Sequence, residues 1–240
     1  MQSILCYPSL MPQHIGIVAC SAEGAALCYR TISLEGAQLL GRHNHPEVSM
    51  HTHPLAEYMD CIYMADWPGV AELMLSSADK LAKAGADFLI CPDNTIHQAF
   101  DLVAPRSPLP WLHIAEEVAN EAVRLGAKRV GVLGTRYLME GPVYPPKLKA
   151  AGLEHRIPNE VQRIEINRII FDELVYGEFL PQSLAYFQEV ISELKKHGCD
   201  AVALSCTEIP LLVTPDNSPL PTLDSTRLLA RAAVRKAINP

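Results

Sequence analysis

An aspartate and a cysteine stand at matching positions of two related segments in this chain of 240 residues. In the first, Gly85-Ala86-Asp87 leads into the apolar run 88–91 and the polar tip Asp93-Asn94-Thr95. In the second, Gly198-Cys199-Asp200 leads into the run 201–205 and the tip Cys206-Thr207-Glu208. Superposing the copies sets Asp93 against Cys206, Asn94 against Thr207 and Thr95 against Glu208. Two proton-exchanging side chains aimed at one cleft from opposite sides suit moving a proton on and off a carbon atom. If that carbon lies next to a carboxylate, the site also needs anion-binding donors and shelter from water.

Each tip is expected to open a helix, whose first amides carry partial positive charge and can hold carboxylate oxygens. Hydroxyls on Ser21, Thr95, Thr135 and Thr207 add donors. The same helix end is expected to draw the Cys206 thiol from about 8.5 toward neutrality; the plainer reading is a buried strand-end thiol. Asp93 poses the harder question, because Asp and Cys differ by about 4.6 units in reference pKa, roughly 6 kcal/mol of proton affinity. An ordinary aspartate is almost wholly ionised at pH 7 and does not readily return a proton. Burial can raise a carboxyl by up to about 3–5 units, which would restore the role. Otherwise Asp93 only shapes or charges the cleft, where a carboxylate repels a carboxylate substrate unless protonated or screened. His97, one turn beyond Asp93, either bonds to it or is structural. Glu208 either orients Cys206 or caps the following helix, capping being the preferred reading. His43, His45, His51 and His53 lack helical ligand spacing and a carboxylate pattern, so no metal site is assigned.

The elements that must hold these residues also repeat. Ser107-Pro108-Leu109-Pro110 returns as Ser218-Pro219-Leu220-Pro221, each leading into an Ala-rich amphipathic helix, and the strand at 15–20 returns at 130–135. A nearly constant offset marks an internal duplication. Strand-like runs at 15–20, 87–91, 110–114, 129–134, 200–205 and 221–223 alternate with helical patterns at 68–85, 115–125, 160–175, 181–197 and 225–237. Such alternation implies crossover units and parallel sheets, with ligands beyond the carboxyl ends of the strands. The expected fold is α/β with two half-domains sharing a cleft: residues 14–108 plus 221–240 form one, 109–220 the other, and 1–13 a tail. The last helix is expected on the first half, and its twin after Trp111 on the second. Residues 43–59, rich in Pro and His, are expected as a long loop or short strand at the cleft mouth.

A net charge of -7 argues against a nucleic-acid partner, which needs clustered Lys and Arg. No apolar run approaches the roughly 20 residues that span a bilayer, and residues 1–13 lack the features of a signal peptide. Seven cysteines without a Cys-x-x-Cys, several of them inside apolar strands, fit reduced thiols in a cytoplasm better than a disulfide framework. No cofactor is indicated: there is no Gly-x-Gly-x-x-Gly after a strand, no P-loop, and no sign of a pyridoxal lysine.

The residues Ser205-Cys206-Thr207-Glu208, set beside Asp93-Asn94-Thr95-Ile96-His97, make the chain resemble the aspartate/glutamate racemase family. Members carry Gly-Cys-Thr-Glu at the one place and Cys-Asn-Thr-x-His at the other, so this chain is an atypical relative with Asp93 in the first cysteine's place. Leu112-His113-Ile114-Ala115, Thr135-Arg136-Tyr137-Leu138 and Ile169-Ile170-Phe171-Asp172-Glu173-Leu174 also look like family positions, and the likeness covers most of the chain. The resemblance implies two pseudosymmetric Rossmann-like (flavodoxin-like) halves, each a parallel sheet flanked by helices, with the active site between them. It also implies a homodimer and a pyridoxal-independent racemase or epimerase moving the α-proton of an acidic amino acid. On that analogy Cys206 and Asp93 are catalytic. Asn94, Thr95, Thr135 and Thr207 bind the substrate carboxylate, joined by Ser21 and Glu208. Arg163 falls near a basic family position, and His51 near an arginine of aspartate-specific members. Cys91, on the same strand face as Asp93 but deeper, is read as core. The alternatives are a one-thiol decarboxylase or isomerase of a carboxylic acid, and a carboxylate-binding protein whose catalysis has decayed.

Overall fold

The computed structural model describes residues 12–239. In the first half, β1 (Ile15–Ala19), α1 (Ala22–Leu40), β2 (Val48–Thr52), α2 (Leu55–Tyr63), α3 (Trp67–Lys83) and β3 (Phe88–Ile90) follow in order. A 3-10 turn (Thr95–Ala99) and the short α4 (Phe100–Val103) continue from the Asp93 tip. The second half begins with α5 (Ile114–Arg124), β4 (Arg129–Leu133), α6 (Arg136–Met139), α7 (Pro145–Ala150) and β5 (Glu154–Arg156). Then come α8 (Glu160–Asp172), a 3-10 turn (Leu174–Tyr176), α9 (Pro181–Lys196), β6 (Ala201–Leu204), α10 (Ile209–Leu212) and β7 (Thr222–Asp224), followed by α11 (Ser225–Ile238).

All the strand pairs are parallel, in the orders β2-β1-β3 and β5-β4-β6-β7. Every residue of β1, β3 and β6 is buried. Strands covered by helices on both faces have no polar side to show, hence their unbroken apolar runs. The duplication is visible bond by bond. Gly85 and Gly198 both turn the chain with positive φ, 92° and 85°. Two residues on, Asp87 accepts from the His14 amide at 2.7 Å, and Asp200 from the Lys128 and Arg129 amides at 2.8 and 3.1 Å. Each carboxylate thus ties the root of one strand to its neighbour. Ser107 and Ser218 form the same turn, each hydroxyl donating to the carbonyl two residues on and accepting from that residue's amide.

The two sheets exchange helices. Leu229, Ala230, Ala233 and Val234 of α11 pack with Ile15, Ile17, Cys28 and Ile32 of the first half, whereas Ala115, Val118 and Ala122 of α5 pack with Val130 and Val132 of the second. The crossings lie slightly later than the divisions expected at 108/109 and 220/221. Trp111 bridges to Leu89 in the first sheet, and β7 pairs with β6 in the second, so each crossing follows its short strand. Of the two readings of residues 43–59 the short strand holds: β2 is an edge strand beside β1, and α2 starts directly after Pro54. Of the expected tail, residues 1–11 lie outside the described residues, and the Gln13 amide donates to Ala237 O at 2.8 Å.

Candidate active site

A cavity of about 240 Å³ opens where the carboxyl ends of both sheets meet. Ser21, Asp93, Asn94, Thr95, Thr135, Cys206, Thr207 and Glu208 all line it, so the two tips face one space. Gly24 lets the halves close together there. A Cβ on it would stand 2.6 Å from Thr207 Cγ2, a contact that a side chain cannot make.

On the first side, the long helix α1 starts at Ser21, whose hydroxyl accepts from the Gly24 amide at 3.2 Å. The amides just before that start point at Asp93. Cys20 N donates to Oδ2, and Ser21 N to both carboxylate oxygens, each at 3.2 Å. Burial nevertheless dominates and pushes the Asp93 carboxyl up to about 6; hydrogen bonds from Ser21 pull it back, and the charge of Glu208 raises it again. At pH 7 Asp93 is therefore about nine-tenths ionised, yet close enough to neutrality to hold a proton in passing.

The second side is built differently. The helix after Cys206 begins only at Ile209 and is 4 residues long. It does not draw the thiol toward neutrality, contrary to the sequence expectation. Cys206 Sγ donates to Glu208 Oε2 at 2.9 Å, and the thiol is pushed well above its ordinary range, by burial first and then by the Glu208 charge, with Asp93 adding to it. Glu208 makes no side-chain cap hydrogen bond, so the capping reading gives way to the orienting one. Cys206 is an S–H acid here.

The remaining expected residues divide. Thr95 Oγ1 lies 3.1 Å from Thr135 Oγ1, joining the two halves at the cavity, and Thr135 also caps α6 by accepting from Leu138 N. Asn94 lines the cavity, but its side chain is committed: Tyr144 OH donates to Oδ1 at 2.8 Å, and Nδ2 donates to Ser225 Oγ at 3.0 Å. His51 and Arg163 lie outside the lining. The His51 ring turns from the edge strand onto α3, meeting Ser77 Oγ at 3.0 Å and Lys80 Nζ at 2.9 Å. Arg163 is held by Glu140 at 2.9 Å and by Pro158 O at 2.8 Å, two helical turns before the part of α8 that reaches the cavity. His97 bonds through Nδ1 to the Asp93 carbonyl at 2.8 Å, not to its carboxylate, and burial lowers it to about 4. It is a neutral structural histidine. Cys91 is buried in the core and stays out of the lining.

Sequence reasoning missed the apolar part of the wall. Leu55, Met59 and Ile62 of α2 come from the first half, Ile170, Phe171 and Val175 from the second, and Ile96 and Tyr137 complete it. The signal was present as an i, i+4, i+7 stripe at Leu55, Met59 and Ile62, obscured by the preceding run of Pro and His.

The family model described as Asp/Glu/hydantoin racemase matches residues 16–233. The broad specificity amino-acid racemase RacX of Bacillus subtilis (strain 168) is 27% identical over 191 residues, spanning 80% of this chain and 82% of that protein. The solved structure of a candidate Asp/Glu racemase from Yersinia pestis superposes with a TM-score of 0.87 at 31% identity, covering 94% of this chain and 99% of that one. An aspartate racemase homologue from Pyrococcus horikoshii OT3 superposes with a TM-score of 0.81 at 27% identity, covering 94% and 99%.

Proposed function

Since the chain belongs to the Asp/Glu/hydantoin racemase family, we propose that it is a cofactor-independent amino-acid racemase in which Asp93 and Cys206 move the α-proton between the two faces of the substrate. The observation that carries this reading is the pair of unlike acids, an ionised Asp93 and a protonated Cys206, lining one cavity from the tips of duplicated strands. Asp93 takes the α-proton from its face, and the Cys206 S–H delivers a proton to the other. The enzyme is left with a protonated Asp93 and a Cys206 thiolate, the forms that the reverse reaction needs. Proton exchange with water, or turnover of the opposite enantiomer, restores the first state. Hydroxyls of Ser21, Thr95, Thr135 and Thr207 hold the substrate carboxylate, and the apolar wall keeps water from the carbanion. A homodimer, as the resemblance implies, is part of this proposal and is read by light scattering on a sizing column.

The test is incubation with L- and D-amino acids in deuterated water, followed by mass and chiral analysis. Loss of the α-proton from both enantiomers, with interconversion, is the expected result. Retained turnover in Cys206→Ser would remove the thiol mechanism. A one-thiol decarboxylase gains support from the well-protonated thiol, which can quench a carbanion left by loss of CO2. It would give exchange from one enantiomer at most, and CO2 release from a substituted malonate.

A further inference from the structure

Within the racemase reading just given, on which this step rests, we infer that the cavity takes an amino acid with an apolar side chain rather than an acidic one. The two tips supply much of the polar lining, and a substrate that presents its α-carbon to Asp93 and Cys206 must send its side chain toward the rest of the wall. That wall comes from both halves: Leu55, Met59 and Ile62 of α2 from the first, Ile170, Phe171 and Val175 from the second. These apolar residues reach the lip, since Leu55 and Val175 are each 42% exposed.

Charge points the same way. No lysine, arginine or histidine is among the described residues lining the cavity; the charged ones are Glu23, Asp93 and Glu208, all acidic. A second substrate carboxylate would enter a space with no cation to pair with it, and a charge desolvated without a partner is strongly disfavoured. The two basic groups that would have recognised it on the family analogy are engaged elsewhere, His51 on Ser77 and Lys80, Arg163 on Glu140. A cationic side chain fares little better. Asp93 is already held by two backbone amides, Glu208 by the Cys206 S–H, and Glu23 is exposed, where an ion pair is worth little. Apolar side chains instead gain from burial against each of these walls.

The experiment separates binding from chemistry. Calorimetric titration of the intact protein with L-leucine, L-methionine, L-glutamate and L-lysine reads affinity whether or not turnover occurs, because interconverting enantiomers evolves no net heat. Leucine or methionine should bind at least about tenfold tighter than glutamate or lysine. Val175→Arg, at the exposed lip, should narrow that ratio severalfold in favour of glutamate while leaving the thermal midpoint in place. Equal or tighter binding of glutamate or lysine, or no binding of either apolar amino acid, overturns the inference. Apolar binding without α-proton exchange would instead sink the racemase reading and leave the specificity standing.

Discussion

Asp93 offers a direct check on the electrostatics of the cavity. Its carboxyl is moved from an ordinary 3.8 to about 6, chiefly by burial. The folded protein therefore binds a proton between these values that the unfolded chain has already released. By linkage, stability falls as pH rises through that window, and Asp93 disfavours the folded state above it. The full shift corresponds to at most about 3 kcal/mol, accumulating at no more than about 1.4 kcal/mol per pH unit. Asp93→Asn removes the titration but keeps an oxygen for the Cys20 and Ser21 amides, while its amide nitrogen would face those same donors. That mismatch lowers the variant's stability by an amount independent of pH. The slope, not the offset, carries the result. Urea unfolding of both proteins from pH 4 to 8 should show the wild type losing about 2–3 kcal/mol relative to the variant, with the change complete shortly above pH 6. The wild type's kcat/KM should have an acid limb near the same value, because the base must be ionised. Parallel stability profiles, or a wild type that gains on the variant with rising pH, would show that Asp93 is not held up by burial and would refute the reasoning.

Other consequences follow from single contacts. Burial holds the Cys206 thiol up first and the Glu208 charge adds to it; Glu208→Gln removes that second contribution, so alkylation of Cys206 at pH 8 should become several-fold faster, and an unchanged or slower rate would count against the pairing. Gly24→Ala drives a methyl into Thr207, and overpacking of this kind should reduce stability by about 1–3 kcal/mol and raise KM, measured by denaturation and steady-state kinetics. Tyr144→Phe leaves the buried Asn94 oxygen without its donor and should be destabilising by about 1–3 kcal/mol in the same denaturation assay.

The fold was legible because its signals are local and repeated. Buried parallel strands need unbroken apolar runs, and the paired Gly-x-Asp turns before β3 and β6 fix where those runs begin. Asp93 and Cys206 could be located because each sits at the end of such a run. What sequence could not supply was the direction in which neighbouring side chains turn. Glu208 reads as a cap because it precedes a helix; in the fold it reaches back to Cys206, and its charge adds to the burial that pushes the thiol up. His51 and Arg163 carry the right chemistry, but one points off an edge strand and the other sits two turns too early on α8. The stripe of α2 serves two masters, with Ile62 packed in the core and Leu55 at the cavity lip, so its period alone does not mark a binding wall.

On the proposed reaction, the duplicated scaffold builds two unlike proton sites from one plan. Beside the first tip a helix of 19 residues starts, and the Cys20 and Ser21 amides just before it meet a carboxyl; at the second, α10 is only 4 residues long, and the thiol meets a carboxylate instead. Both groups are shifted toward holding their protons, but with different effect: the shift brings Asp93 near pH 7 and carries Cys206 away from it. Asp93 recovers only about half of the gap that separates an aspartate from a cysteine, so the free enzyme rests with Asp93 ionised and Cys206 protonated. For a substrate with a single stereocentre the equilibrium constant is one, and both directions share a transition state, so kcat/KM must still be equal for the two enantiomers. The asymmetry between sulfur and oxygen can then appear only in how kcat and KM are divided, with the enantiomer that needs the rarer protonated-Asp93 form showing the higher KM.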